Sequence, residues 1–297
     1  QFIMNNSQIL FSHRNAEPEQ SVLYIVGTPI GNLDDISYRA KKILQNVAFI
    51  ACEDTRVTKK LLNHLKISNK LVSFNSYNSH QKSKFIISKL KQGESIALVS
   101  DAGMPLISDP GENLVEIVKN KNFDVICVPG PCALIAGLVS SGISTSRFTF
   151  FGFVPKAKKE REDLLEKVSI NLFSSILYES PKRILKLLLD LKIYCGGERK
   201  IVLLKEMTKK YENHFGGSID NIIKRMQDID IKGEFTIVIE GKVIKEDNLE
   251  SNLNLLKNDL INLMKAGLSH SAASNYLAKK SGLSKNKIYK LIIKKDL

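Results

Sequence analysis

Over residues 22–146, short runs of apolar and β-branched residues alternate with longer stretches that repeat apolar residues at helical spacing. The runs predict strands, and the longer stretches predict amphipathic helices. The predicted strands are residues 22–26, 48–52, 71–74, 95–99 and 124–128. The predicted helices are residues 36–45, 55–65 (capped by Thr55), 79–92 and 112–121, and one that starts near Cys132. This alternation predicts a mostly parallel sheet with helices on both faces.

The pattern changes near Phe148. Residues 148–153 read FTFFGF, and the basic segment 156–161 follows them. Strands are predicted at residues 174–178, 200–204, 211–215 and 234–240, with helices at 181–191 and 218–227. The strands follow one another at hairpin-like spacing, which predicts a second α/β domain that contains antiparallel strands.

Three helical stretches follow Gly241, at residues 253–265, 271–280 and 285–293, and Ser284 can cap the last of them. From residue 268 onward the chain carries seven Lys against a single acidic residue, Asp296. Two short helices with a basic second helix are typical of a helix-turn-helix. We therefore predict RNA contact through Lys279, Lys280, Lys285, Lys287 and Lys290. The alternative is a packing or dimerisation module whose lysines only face water.

These patterns predict an α/β fold in which two α/β domains enclose a cleft and a small helical module is appended. The predicted divisions are a flexible tail over residues 1–21, α/β domains over 22–146 and 147–241, and a basic helical module over 242–297. The tail is predicted because it shows neither helical nor strand periodicity.

Composition narrows the class of protein. Hydrophobic residues make up 43% and charged residues 25%, as in ordinary globular proteins, and no apolar run approaches the roughly 20 residues of a membrane span. Because the four Cys and five His are scattered without metal-ligand spacing, we expect reduced thiols and no metal. The lack of a membrane-length apolar run adds the expectation of a cytoplasmic protein without a membrane partner. The net charge of +13 favours a polyanionic partner, although an A+T-rich genome also enriches Lys.

Glycine- and proline-rich loops follow three of the predicted strands, at residues 27–35 (GTPIGNLDD), 100–111 (SDAGMPLISDPG) and 128–134 (VPGPCAL). Loops at the carboxyl ends of parallel strands form the ligand crevice of such sheets. Small residues there let backbone groups approach a ligand closely. Neither a dinucleotide-binding nor a P-loop motif occurs, which argues against those two classes.

The sequence CEDTR also follows a strand end, and it places Glu53, Asp54 and Arg56 at the mouth of this crevice. We favour a catalytic role for the three residues, whereas a helix cap with a surface ion pair is the alternative. Asp101, Asp109 and Glu112 lack the regular spacing of metal ligands.

Eight segments together resemble the tetrapyrrole-methylase superfamily, and most closely its RNA-methylating branch. They are LYIVGTPIGNLDDIS, ACEDTR, SDAGMPLISDPG, VPGPCALIAGLVSSG, FFGFVPK, YESPKR, LLKEMTKKYE and KGEFTIVIEG. Their order and separations are those of the superfamily over residues 22–241, and the likeness extends into the helical tail.

The resemblance implies a homodimeric enzyme that uses S-adenosylmethionine to methylate the ribose 2′-oxygen of a cytidine. The cytidine would lie in the decoding region of 16S ribosomal RNA, as naked RNA or within the 30S subunit. Carried over position by position, the resemblance implies cofactor contacts at Pro29, Gly31, Asp101, Ala102, Gly103, Pro131, Cys132, Ala133, Tyr178, Glu179, Glu234 and Phe235. Gly27 and Cys132 depart from the residues most frequent in relatives, but both are small.

In-line methyl transfer requires alignment of the ribose oxygen with the methyl group and removal of the hydroxyl proton. We expect Glu53, Asp54 and Arg56 to orient or activate that hydroxyl, without an assignment of the proton acceptor. Two alternatives stay open. One is a methyltransferase of the same superfamily that acts on a small tetrapyrrole, and the other is a non-catalytic RNA-binding protein.

Overall fold

The computed structural model describes residues 17–75, 77–109, 111–227, 231–243 and 246–292. The chain forms two compact units, Gln1–Gly241 and Lys242–Leu297. Most of the predicted tail, residues 1–16, lies outside the described residues. Its last residues are bonded to the rest of the unit, since Glu17 pairs with Arg39 and the Ser21 hydroxyl donates to the Leu90 carbonyl. Among the described residues, no helix is both long and apolar enough to cross a membrane.

The first sheet has five parallel strands in the order β3-β2-β4-β1-β5. They are β1 (Val22–Val26), β2 (Phe49–Cys52), β3 (Leu71–Ser73), β4 (Ile96–Val99) and β5 (Asp124–Val128). The predicted parallel sheet is therefore confirmed. All five strands present their carboxyl ends at one edge, where the glycine-rich loops begin.

Helices cover both faces of this sheet, as predicted. They are α1 (Tyr38–Asn46), α2 (Thr55–Leu65), α3 (Ser79–Lys91) and α4 (Glu112–Asn120). Alternate strand residues such as Tyr24 and Ile50 pack with α1 and α2, whereas Leu23 and Phe49 pack with α3 and α4. Both faces are apolar because a parallel sheet is buried on each side.

The second sheet has the order β6-β7-β10-β8-β9, and only β6 and β7 are parallel. Its strands are β6 (Phe148–Phe153), β7 (Ser174–Glu179), β8 (Lys200–Lys205), β9 (Asn213–Ser218) and β10 (Phe235–Ile239). The predicted antiparallel strands are thus confirmed. The strand predicted at 211–215 lies further along the chain, because pairing with β8 extends it through Gly216 and Gly217.

Helices α6 (Lys158–Ile170), α7 (Ile184–Cys195) and α8 (Ile219–Gln227) cover one face of the second sheet. The sequence did not predict α6, because its first turns are almost wholly charged and its buried face begins at Arg161. The other face is covered by α5 (Ala133–Ser140), which leaves the first sheet after β5 and packs Leu134 and Leu138 against β7, β8 and β10. Helix α5 therefore fixes one sheet against the other.

The second unit contains α9 (Glu246–Lys265), α10 (His270–Ser281) and α11 (Lys285–Tyr289) around a small core that includes Leu260, Leu277 and Ile288. The Ser284 hydroxyl accepts from the Lys287 amide, so the predicted cap is confirmed. The five lysines predicted to contact RNA are all exposed. The residue division at 146/147 stays a prediction, because both sheets belong to one compact unit.

Candidate active site

A cavity of about 500 Å³ lies in the first unit, where the carboxyl edge of the first sheet faces β7, β8 and β10. Ten of the residues predicted from the sequence line it: Glu53, Asp101, Ala102, Gly103, Cys132, Ala133, Tyr178, Glu179, Glu234 and Phe235. Further lining residues were not predicted: Ile30, Met104, Ile107, Ser108, Asp109, Phe153, Ser180, Pro181, Leu204, Met207 and Thr236. The cavity thus combines a polar, acidic wall with an apolar one.

Close backbone contacts hold the loops of the first sheet together. Thr28 and Gly103 exchange two backbone hydrogen bonds of 2.9 and 3.1 Å, and the Gly27 amide donates to the Val128 carbonyl. A Cβ on Gly27 would lie 2.7 Å from the Gly130 Cα, closer than real Cβ atoms come to backbone. Glycine is therefore required where the loops after β1 and β5 meet.

Three carboxylates converge on the polar wall. Glu53 follows β2, while Asp101 and Asp109 lie in the loop after β4. The Asp54 amide donates to the Asp101 carboxylate at 3.0 Å, which joins the CEDTR segment to this loop. Burial, followed by repulsion from Asp101 and Asp54, raises the pKa of Glu53. Burial and repulsion from Glu53 raise the pKa of Asp109 to about 6.

Asp54 and Arg56 have a different environment from Glu53. The Asp54 carboxylate caps α2 by accepting from the Arg56 amide at 2.8 Å, so Asp54 rather than the predicted Thr55 is the N-cap. It also pairs with the Arg56 guanidinium at 2.6 Å, and hydrogen bonds from Arg56 lower the pKa of Asp54 to about 2. The Arg56 side chain is 86% exposed, and neither residue lines the cavity. This geometry is the cap and ion pair that the sequence left as the alternative; the catalytic role of the two residues stays a prediction.

The loop that carries Asp109 is strained. Leu106 and Ser108 adopt φ values of 75° and 62°, a left-handed region that side chains with a Cβ rarely occupy. Backbone strain of this kind is found at functional sites, where the surrounding structure maintains it. Here the strained turns bring Asp109 to the cavity beside Glu53. Asp109 was not among the site residues predicted from the sequence, although its place in a strand-end loop was a usable signal.

The apolar wall comes mainly from the second sheet. The Tyr178 ring packs edge-on against Phe150 and Phe153, with ring centroids 5.0 and 5.4 Å apart. Burial raises the pKa of Tyr178, whose hydroxyl also bonds the Leu134 backbone at the start of α5. The phenol is therefore neutral and is not a candidate base.

Five predicted cofactor contacts either lie outside the cavity lining or carry a carboxylate held in an ion pair. Pro29, Gly31 and Pro131 do not line the cavity, and Gly31 lies against the loop around Thr208, whose hydroxyl accepts from the Asn32 amide. The Glu234 carboxylate is largely exposed and pairs with Lys209 at 2.9 Å. The Glu179 carboxylate is buried and bonded to Arg183. Across the part of the chain that the structure describes, no cluster of His, Cys, Asp and Glu could hold a metal ion.

Comparison with known proteins first identifies the class of protein to which the chain belongs. Residues 22–223 match the family described as tetrapyrrole (corrin/porphyrin) methylases. A solved cobalt precorrin-4 methyltransferase covers 74% of this chain and 95% of its own, with a TM-score of 0.58 and 16% identity. A solved diphthine synthase covers 77% and 93%, with a TM-score of 0.59 and 14% identity. At these identities the two structures show a shared fold, that of the tetrapyrrole methylases.

Curated relatives then give the particular family. A ribosomal RNA small subunit methyltransferase I of Synechocystis sp. is 42% identical over 270 residues, which is 91% of this chain and 96% of that protein. The protein of the same name from Escherichia coli O157:H7 is 38% identical over 287 residues, which is 96% of this chain and 99% of its own. The chain belongs to the ribosomal RNA small subunit methyltransferase I family, within the tetrapyrrole methylases.

Proposed function

We propose that this protein transfers the methyl group of S-adenosylmethionine to the ribose 2′-oxygen of a cytidine in the decoding region of 16S ribosomal RNA. The substrate follows the names of relatives that match over nearly the whole chain. The observation that carries the chemistry is the cavity itself, in which an acidic wall faces an apolar one. The target atom follows the resemblance described above. A substrate of this kind would place the protein in the cytoplasm.

The cavity residues suit S-adenosylmethionine. A volume of about 500 Å³ lies within the range of roughly 300–1,000 Å³ that is usual for small-molecule sites. Carboxylates on one wall match a sulfonium cation, and apolar side chains such as Ile30 and Leu204 on the other match an adenine ring. Gly103 also brings its backbone to the cavity lining, where it lies close to Ile30. A Cβ on Gly103 would be 3.3 Å from the Ile30 side chain. When bound, the cofactor supplies an electrophilic methyl group.

Glu53, Asp54, Arg56 and Asp109 have distinct tasks in the proposed reaction. Glu53 and Asp109 act as a pair that takes the single proton of the 2′-hydroxyl as the ribose oxygen bonds to the methyl group, and that proton later leaves to solvent. The S–CH3 bond of the sulfonium would break in the same step, and the cofactor would leave as a neutral thioether. Asp54 is a positioning residue, because its amide holds the Asp101 carboxylate. Arg56 is exposed beside them and orients a phosphate of the incoming RNA.

Mass spectrometry tests the proposed reaction directly. Naked 16S RNA and 30S subunits are incubated with protein and isotope-labelled S-adenosylmethionine, and the RNA is then digested. We expect one labelled cytidine whose 3′ linkage resists alkaline cleavage, because a methylated 2′-oxygen does not attack the neighbouring phosphate. Label on a base, or label that alkali releases as an ordinary nucleotide, would contradict ribose methylation. Transfer to a uroporphyrinoid but not to RNA would favour a small-molecule methyltransferase.

Two further features belong to the proposal. The C-terminal unit contacts RNA phosphates through Lys279, Lys280, Lys285, Lys287 and Lys290, all of which are exposed.

The protein also forms a homodimer, as the resemblance implies. Ile135 and Val139 support this, since they lie one turn apart on α5 and remain 45% and 65% exposed. Light scattering on the purified chain would report its mass.

Substitution of Gly130 by Ala is expected to damage the cofactor site. The new Cβ would lie 2.8 Å from three backbone atoms of Gly27, so the loops after β1 and β5 must separate. We expect the affinity for S-adenosylmethionine to fall by about tenfold or more in calorimetry, and overpacking to cost about 1–3 kcal/mol of stability. Gly216→Ala is the matched control, because its Cβ would meet nothing closer than 3.7 Å. Equal affinities of the two variants would refute a constraint at this contact.

A further inference from the structure

A long stretch of the first unit lacks acidic residues. Residues 55–93 contain nine Lys and Arg and no Asp or Glu, although a chain with 31 acidic residues in 297 would hold about four in such a stretch. The stretch comprises α2, β3, the loop that follows and α3. Because β3 is the edge strand of the sheet beside β2, these elements form the border of the sheet nearest to Glu53. The basic residues in the first turns of α2 and α3 therefore border the candidate active site.

Tyr77 lies in the loop after β3, and its side chain is 99% exposed. Two asparagines hold this loop. The Asn75 amide donates to the Asn78 side chain at 2.9 Å, the Tyr77 and Asn78 amides donate to the Asn75 side chain at 3.2 Å, and the Asn78 side chain donates to the Ser73 carbonyl. These bonds hold the backbone at Tyr77, from which the aromatic ring projects into solvent. Because the Tyr77 ring is this exposed, it does not stabilise the fold by packing.

Exposed basic side chains lie on the helices that precede and follow this loop. Arg56 and Lys59, in the first two turns of α2, flank a shallow polar groove that continues past Ser68 and Asn69 toward β3. His80 and Lys84, in the first two turns of α3, are exposed as well. Both helices begin at the carboxyl edge of the sheet, so these turns lie at the same edge as the cavity. We name Arg56, Lys59, Tyr77, His80 and Lys84 the β3-edge surface.

We propose that the β3-edge surface binds single-stranded RNA, with an unpaired base stacked on Tyr77 and the flanking phosphates on Lys59 and Lys84. Proteins recognise unpaired nucleotides by stacking bases on exposed aromatic rings within basic surroundings. Nucleotides held here would enter the cavity past Glu53, which explains why the basic, acid-free stretch adjoins that residue. The proposal deepens the proposed function, on which it rests, and it assigns a second RNA contact apart from the C-terminal lysines.

Equilibrium binding of a fluorescently labelled decoding-region RNA to the full-length protein tests this surface. Tyr77→Ala is expected to weaken binding about tenfold, as the loss of one stacked base does, whereas Tyr77→Phe keeps the ring and should bind like wild type. Lys84→Glu should weaken binding and flatten its salt dependence. Lys91→Glu is the matched control, because the same charge change is placed on the same helix about 10 Å further from the cavity edge.

Binding and methylation separate the two proposals. Wild-type affinity of both Tyr77→Ala and Lys84→Glu would overturn the β3-edge surface, even if the protein methylates rRNA. Loss of binding in these variants, together with no methyl transfer to rRNA by the wild type, would leave the surface standing and overturn the proposed reaction. In turnover assays, Tyr77→Ala should raise the KM for RNA and leave kcat and S-adenosylmethionine binding unchanged.

Discussion

The Asp109→Asn variant is expected to bind S-adenosylmethionine and RNA but to methylate at least about a hundredfold more slowly than wild type. The factor is that of general base catalysis, which typically contributes 10²- to 10⁴-fold. Glu53→Gln should lose activity to a similar extent, because the two carboxylates repel each other and share one task. The double variant should be little worse than either single one, as for residues that act as a unit. Single-turnover transfer of labelled methyl with saturating RNA measures the step.

Asp124→Asn provides the control, since Asp124 is an exposed carboxylate at the start of β5 and outside the cavity lining. It should transfer the methyl group at the wild-type rate. Asp109→Asn with wild-type turnover would exclude Asp109 as a proton acceptor. If Glu53→Gln alone were inactive, Glu53 would carry the proton by itself.

Glu53 and Asp109 also set the expected pH dependence of the methyl-transfer rate. Only the ionised carboxylates accept a proton, so the transfer rate should rise with pH through an apparent pKa near 6 and then level off. The groups that face Asp109 are Glu53 and Asp101 in the strand-end loops and Tyr178 on β7. The profile reports Glu53 and Asp109 as a coupled pair.

The free energy of unfolding should change with pH in the direction opposite to the transfer rate. The pKa of Asp109 is raised from 3.8 to about 6 on folding, so the folded protein loses stability as pH rises across that interval. Asp109→Asn should therefore melt at a higher temperature than wild type at pH 7 and lose this advantage below about pH 4. Such a gain in stability with a loss of activity is expected of a residue kept for function.

The sequence predicted the parts of this architecture that depend on local pattern. The alternation of strands and helices predicted the parallel sheet, because the periodicity of each is visible in the residue types. The glycines at the strand ends predicted the position of the cavity, because glycine marks a close approach between backbones. Gly27 and Gly130 illustrate the second case. Asp109 shows the limit, since its position depends on left-handed turns at Leu106 and Ser108 that neither residue type favours.

Long-range contacts were equally invisible in the sequence. Helix α6 was missed because Arg161, a residue usually found at the surface, begins its buried face. Arg161 is buried since it pairs with Asp190 on α7 at 2.7 Å and lies 4.0 Å from the Glu179 carboxylate. Glu179 was predicted as a cofactor contact from resemblance, and it does line the cavity. Its carboxylate, however, belongs to this ion network.

Glu179 makes the network costly to break. Its side chain is fully buried, and one carboxylate oxygen accepts from the Arg183 guanidinium at 2.7 Å and from the Ser180 amide at 2.8 Å. The other oxygen has no hydrogen-bond partner and lies 4.0 Å from the Arg161 guanidinium. Arg183 also donates to the Val154 carbonyl at 2.9 Å, which ties β7 to the segment after β6.

Arg183→Met is therefore expected to destabilise the first unit by about 3 kcal/mol, because it leaves a buried carboxylate without its main partner. Urea unfolding followed by circular dichroism measures the change. Lys182→Met, at the exposed neighbouring position, should have little effect. The double variant Arg183→Met with Glu179→Gln should recover more than half of the loss, since the uncompensated charge is then gone. A loss below about 1 kcal/mol for Arg183→Met would show instead that the pair contributes no more than an exposed salt bridge.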